Sequence, residues 1–93
     1  MHAIVTNVEF ALGRDDEVLA MLNQLVVPQA KASAGFTGGY WLRSADQAFG
    51  MSVEFFESQA AAEAAVATRR EGPPPGAPVS VISVRLMDVA ASA

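Results

Sequence analysis

The chain has 93 residues, no cysteine and a formal net charge of −4, which predicts one domain over residues 1–93 without disulfides or thiolate metal sites. Its six basic residues are scattered, which argues against nucleic acid or an anionic membrane as a partner. No apolar run is long enough to span a bilayer, and a strand-like run follows Met1 directly, so we expect no signal peptide and a cytoplasmic protein.

The composition is apolar for a small domain. Charged residues make up 17% of the chain, against about 25% in typical soluble domains. One explanation is a homo-oligomer that buries additional apolar surface. The other is the eighteen alanines, which are only weakly hydrophobic. Long apolar side chains on both faces of the predicted strands favour the oligomer.

The first third of the chain predicts a strand followed by a helix. Residues His2–Phe10 are rich in β-branched side chains, which are typical of a strand. Three acidic residues then suit a helix N-terminus, and the apolar spacing after them predicts an amphipathic helix over about 15–33. We expect a kink near Pro28 and a C-terminal cap at Gly35.

A β-hairpin follows, with strands over 36–43 and 49–56 and a turn at 44–47. Adjacent Gly38 and Gly39 indicate a bulge or a site where another group approaches the backbone closely. Alternation places the odd residues of the first hairpin strand, among them Trp41, on one face. It also places Ser52, Glu54 and Phe56 together on one face of the second hairpin strand.

The last third predicts a helix, a loop and a strand. Ser58 is a good N-cap for a helix over about 59–70, the Pro-rich run 72–78 predicts an extended loop, and residues 79–89 predict a fourth strand. The order β-α-β-β-α-β predicts an α+β, ferredoxin-like split βαβ fold, with a four-stranded antiparallel sheet and two helices on one face. We expect Ile4, Val8 and Phe10 on the other face, buried against a second copy.

The "P…aG" pattern at Pro28 and Ala34-Gly35 and the junction VEFFES at 53–58 add a family resemblance. With the element order, they make the chain resemble the antibiotic-biosynthesis monooxygenase (ABM) family of the dimeric α+β barrel superfamily. The resemblance implies a homodimer with facing sheets and a pocket between sheet and helices in each subunit. It also implies small monooxygenases that often need no metal or flavin and oxidise polycyclic phenols or quinols, with one branch that degrades haem.

The residues of the haem-degrading branch carry over only in part. That branch uses an Asn on the first strand, a Trp near the end of the third strand and a His on the second helix. Asn7 matches the first, whereas Phe56 and Ala65 stand where the Trp and His would be. We therefore expect neither haem degradation nor a bound cofactor, and the Asn–Trp pair of some phenol-oxidising relatives is also broken.

Asn7 is the candidate catalytic residue. A buried amide can hydrogen-bond a phenolate or an oxygen intermediate; the alternative is a strand Asn paired with a neighbour. Trp41, together with Tyr40, could form an aromatic wall for a planar ligand or simply fill the core or a dimer interface. Asn7 and Trp41 are expected to line one pocket with the candidate substrate-binding residues of the third strand.

Those candidate substrate-binding residues are Ser52, Glu54 and Phe56, in addition to Trp41. Glu54 could serve as a general base, or it could be an ordinary ion-paired carboxylate. No metal site is predicted, because His2 stands alone and the acidic residues 15–17 are consecutive on a helix and do not converge. Two functions stay open: an apolar pocket for an aromatic small molecule with cofactor-independent monooxygenase activity, or a non-catalytic ligand-binding or structural dimer.

Overall fold

A computed structural model describes all residues from 1 to 93. The strands are β1 (His2–Phe10), β2 (Phe36–Arg43), β3 (Phe49–Phe56) and β4 (Val79–Asp88). The helices are α1 (Asp15–Met21), α2 (Val27–Ala32) and α3 (Gln59–Glu71), and a π-helical turn (Leu22–Val26) joins α1 to α2. The strands form one antiparallel sheet in the order β2-β3-β1-β4. The predicted ferredoxin-like α+β fold is confirmed.

The core lies where α3 packs on the centre of the sheet. Ile4 and Phe56 are fully buried there against Ala62, Ala65 and Val66 of the helix. Two of the three helix residues in this cluster are alanines, which let α3 lie close to the strands, so that the largest core side chains come from the sheet. Ser58 caps α3 as predicted, because its hydroxyl accepts a hydrogen bond from the backbone N–H three residues on, at 3.1 Å.

The first helical segment is interrupted near Pro28, as predicted. The π-helical turn occupies Leu22–Val26, one turn before Pro28, and Pro28 itself lies in the first turn of α2. Proline cannot donate a backbone hydrogen bond, so the bonding pattern ahead of it has to change. A π turn accommodates that change within a continuous helix.

The alternation of β1 places its residues on the opposite faces from those expected. Ile4, Thr6 and Phe10 are buried beneath the helices, so the expectation that Ile4, Val8 and Phe10 face away from them is wrong. The packing of Phe10 explains this phase: its ring lies directly on Gly50 of β3, where even a Cβ atom would overlap with it. A large side chain can occupy that place only because position 50 has none.

Two β-bulges alter which residues face the helices. The register of β2 on β3 shifts between Phe36 and Gly38, which confirms the predicted bulge beside the glycines. The shift turns Phe36 towards the helices, where its ring packs edge-on against Phe56 at 5.9 Å between centroids. The register of β4 on β1 shifts as well, between Asn7 and Val8. Because of this second bulge, apolar residues from both halves of β4 face the helices.

The sheet face away from the helices, called here the open face, is strongly apolar. Its exposed large side chains are Tyr40, Leu42, Phe49, Met51 and Met87, which are 68%, 52%, 50%, 39% and 47% accessible. Pairing across the strands places them with the half-buried Val5 and Val53. No helix of the protein combines the length and apolar character that crossing a membrane requires.

Candidate functional site

A cavity of about 360 Å³ lies between the sheet and the helices, a size at the lower end of small-molecule sites. The strands supply its floor, chiefly Thr6, Val8, Phe10, Trp41, Ser52 and Glu54. The helical segment around the π turn supplies an apolar wall of Met21, Leu22, Leu25 and Val26, together with Gln29. The position of the π turn in this wall accords with the frequent occurrence of such turns at functional sites.

One row of paired residues crosses the floor of the cavity. Trp41 of β2 pairs with Ser52 of β3, and Ser52 pairs with Thr6 of β1. Thr6 is only 7% exposed, and its hydroxyl has no hydrogen-bond partner. The floor therefore combines an aromatic ring, which offers a flat apolar surface, with two hydroxyl groups in an otherwise apolar setting.

The indole of Trp41 has room on the floor because of the glycine two residues before it. A Cβ atom at Gly39 would be 3.3 Å from the Trp41 ring and 2.9 Å from the backbone carbonyl of Val53. The Trp41 ring therefore folds back over bare backbone. This is the close approach that the adjacent glycines predicted.

A buried ion pair closes one side of the cavity. The guanidinium of Arg69 donates to the carboxylate of Glu54 through Nη2 at 2.7 Å and through Nε at 3.0 Å. The Glu54 side chain is 3% exposed and that of Arg69 is 17% exposed. Arg69 also donates to Ser33 Oγ at 3.1 Å, so it ties α3 to β3 and to the end of α2. Both oxygens of Glu54 are engaged, which leaves this carboxylate poorly placed to act as a free general base.

The remaining border of the cavity is formed by the end of α3 and the start of the Pro-rich loop, residues 68, 69 and 71–74. Arg14 anchors the far end of that loop by donating to the carbonyl of Gly76 at 3.0 Å. Arg14 also pairs with Glu17 on α1. The hydrogen bond between them raises the pKa of Arg14 and lowers the pKa of Glu17. Loop and helix are thus held together at the surface.

The structure brings together three of the five predicted site residues. Trp41, Ser52 and Glu54 all line the cavity, whereas Tyr40, the proposed companion of Trp41, is 68% exposed on the open face. Phe56 was expected to line the pocket, and this is wrong, because it is fully buried in the core under α3. The Phe36 ring, which the bulge turns inward, packs against the Phe56 ring and covers it.

Asn7 is the other correction. It pairs with Met51 rather than with Ser52, so it lies on the open face and does not line the cavity with Trp41. Its side-chain amide donates to Ser83 Oγ at 3.2 Å on the neighbouring strand, which is the paired-neighbour alternative considered above. The cause is strand alternation: a change of one residue in phase moves a side chain to the other face.

The sequence reasoning missed Thr6 and Arg69. Thr6 precedes Asn7 in β1 and faces the cavity. Knowing which face of β1 points to the helices would have been enough to identify Thr6 as a site residue. Arg69 could have been selected as the partner of Glu54, because a buried Glu requires a cation nearby. The described chain contains no group of three or more His, Cys, Asp or Glu residues that could hold a metal ion.

The strands, helices and cavity define a ferredoxin-like α+β fold with a pocket between sheet and helices. No protein-family model and no curated protein sequence matches the chain. Solved structures do: the heme-degrader MhuD from Mycobacterium tuberculosis, with two hemes bound in its active site, is 18% identical, with a TM-score of 0.73 over 100% of this chain and 99% of MhuD. HapK from Hahella chejuensis is 14% identical, with a TM-score of 0.74 over 100% and 96% of the two chains.

A third similar structure is the monooxygenase from the gene ActVA-Orf6 of Streptomyces coelicolor, in complex with the ligand nanaomycin D. It is 16% identical, with a TM-score of 0.59 over 98% of this chain and 89% of that one. The resemblance predicted from sequence is thus confirmed at the level of the fold, along essentially the whole chain.

Proposed function

We propose that this protein is a homodimer that binds a small aromatic or polycyclic molecule in the cavity of each subunit. The observation that carries the proposal is the cavity itself. Trp41 provides a flat apolar surface on the floor, aliphatic side chains of the π-helical segment lie opposite, and only a few polar atoms are present. Such a combination suits a planar, largely apolar ligand whose orientation is set by a small number of hydrogen bonds.

Binding can be followed through Trp41, the only tryptophan of the chain. Titration with anthrone, a tricyclic ketone, is expected to quench Trp41 fluorescence saturably. Leu22→Lys places a charge on the half-buried part of the cavity wall and should weaken binding about tenfold, since burying a charge without a partner is costly. Leu12→Lys is the matched control, because Leu12 is exposed but does not border the cavity. Equal affinity for anthrone in the two variants would contradict the site.

The open face supports the homodimer. It carries a contiguous set of large apolar side chains, and monomeric proteins rarely leave such a patch in water. Sedimentation at micromolar concentration should give the mass of two 9.7 kDa chains. Leu42→Glu, which places a charge in the patch beside Met51, should yield monomers, whereas Leu12→Glu should not. A wild-type mass of one chain would refute the dimer.

A cofactor-independent monooxygenase is the second candidate, favoured by the fold shared with a structure described as a monooxygenase. With anthrone as substrate, the ring would reduce O₂ by four electrons in all: one oxygen atom replaces the two hydrogens of the ring CH₂ to give the quinone, and the other leaves as water. Oxygen uptake tests this reaction. Asn7, predicted to be catalytic, lies on the open face, so uptake is expected to survive Asn7→Ala. Saturable binding of anthrone without uptake would identify a non-catalytic binder.

A further inference from the structure

We propose that the cavity selects an uncharged aromatic ligand that carries a hydroxyl or carbonyl oxygen, and that the Thr6 hydroxyl binds that oxygen. The inference deepens the proposed function and rests on it. Two independent observations carry it: a buried hydroxyl without a partner on the cavity floor, and a cavity lining whose only cation is already engaged.

The Thr6 hydroxyl is the unsatisfied polar group of the buried interior. Its oxygen is shielded from solvent and makes no hydrogen bond within the protein, and Thr6 borders the cavity beside Ser52. Buried polar atoms are nearly always hydrogen-bonded, and each exception calls for an explanation. The small exposed surface of Thr6 belongs to its other atoms. A rotation about χ1 that exchanges the hydroxyl and the methyl group would turn the hydroxyl to the cavity, where a ligand oxygen would supply the missing partner. Because a threonine hydroxyl both donates and accepts, it suits a carbonyl as well as a hydroxyl.

The charges around the cavity argue against an anionic ligand. The lining contains Arg69 and two carboxylates, those of Glu54 and Glu71. The Arg69 guanidinium donates to both oxygens of Glu54 and to Ser33 Oγ. A ligand carboxylate would therefore meet a cation whose charge Glu54 already neutralises, and it would lie near the second carboxylate, that of Glu71. A neutral oxygen meets neither obstacle.

A series of three probes of similar shape separates these requirements. Naphthalene has no polar group, 2-naphthol adds a neutral hydroxyl, and 2-naphthoate carries a negative charge at pH 7. Binding is measured from the indole N–H resonance of Trp41, the only such signal in the spectrum. We expect 2-naphthol to bind about tenfold more tightly than naphthalene, as one hydrogen bond to a buried group allows. We expect 2-naphthoate to bind more weakly than 2-naphthol.

Substitution of Thr6 assigns the preference to its hydroxyl. Thr6→Val keeps the shape and removes the hydroxyl, and Thr6→Ser keeps the hydroxyl and removes a methyl group. Thr6→Val should bind naphthalene as well as the wild type does but should lose the preference for 2-naphthol, whereas Thr6→Ser should retain it. Both variants should fold, and Thr6→Val should unfold at an equal or higher temperature, because the hydroxyl that it loses has no partner.

The outcomes are distinguishable. If none of the three probes binds, the aromatic pocket is refuted and the inference falls with it. If naphthalene binds but 2-naphthol gains nothing, or if Thr6→Val keeps the full preference, the role of Thr6 alone is overturned; a buried water bonded to Thr6 would give this result. If 2-naphthoate binds at least as tightly as 2-naphthol, the selection against charge is overturned.

Discussion

Replacement of Arg69 by methionine is expected to destabilise the fold severely. Methionine retains much of the apolar stem of arginine but leaves the carboxylate of Glu54, whose side chain is 3% exposed, without its cation. Removing one member of a buried ion pair costs about 3–5 kcal/mol, against a total stability of about 5–15 kcal/mol for a typical domain. For a chain of this length the unfolding temperature moves by at least about 4 °C per kcal/mol, so a fall of at least about 12 °C is expected.

The measurements are urea unfolding, which gives the free energy, and thermal unfolding, which gives the unfolding temperature, both at one fixed protein concentration and followed by circular dichroism. The double variant Glu54→Met/Arg69→Met should recover most of the loss, because apolar residues can replace a buried ion pair with little net change in stability. Arg14→Met is the matched surface control. Arg14 also pairs with a glutamate, but this pair is exposed to solvent and should contribute little.

Two results would refute this reasoning. The first is that Arg69→Met loses no more stability than Arg14→Met, which would mean that Glu54 reaches water or another donor when Arg69 is absent. The second is that the double variant is as unstable as Arg69→Met, which would mean that the loss comes from packing at the end of α3 rather than from a buried, unpaired carboxylate.

Two further predictions concern the sheet and its hairpin turn. Gly50→Ala should lower the unfolding free energy by about 1–3 kcal/mol, because its Cβ atom would collide with the Phe10 ring, whereas Gly38→Ala, with nothing within 4 Å, should be tolerated; equal losses would contradict the packing. The Ser44 hydroxyl and a backbone N–H hold the pKa of Asp46 below its ordinary value of 3.8. Its stabilising contribution is therefore full above that value and is lost as the pH falls through the lowered pKa. The stability difference between wild type and Asp46→Asn should shrink between about pH 5 and pH 2; a constant difference would contradict the assignment.

Local patterns in the sequence were sufficient for the elements and their order. The strand bounds of β1, β2 and β3 agree with the prediction residue for residue, and Ser58 begins α3 as its capping side chain indicates. Each of these features depends on backbone propensity, alternation or capping, which involve residues close in the chain. The order of the elements then leaves few ways to form one antiparallel sheet covered by helices.

The tertiary structure alone decided which side of each strand faces the helices, and therefore the composition of the site. Alternation places Thr6 and Asn7 on opposite faces but does not show which of them faces the helices. That choice depends on the contact of the Phe10 ring with Gly50, which lies on another strand. Bulges then reverse the phase within β2 and β4. Trp41 was placed correctly and Asn7 was not, because facing direction depends on contacts between distant segments. Phe56 faces the same side as Ser52 and Glu54, as predicted, but α3 and the Phe36 ring cover it.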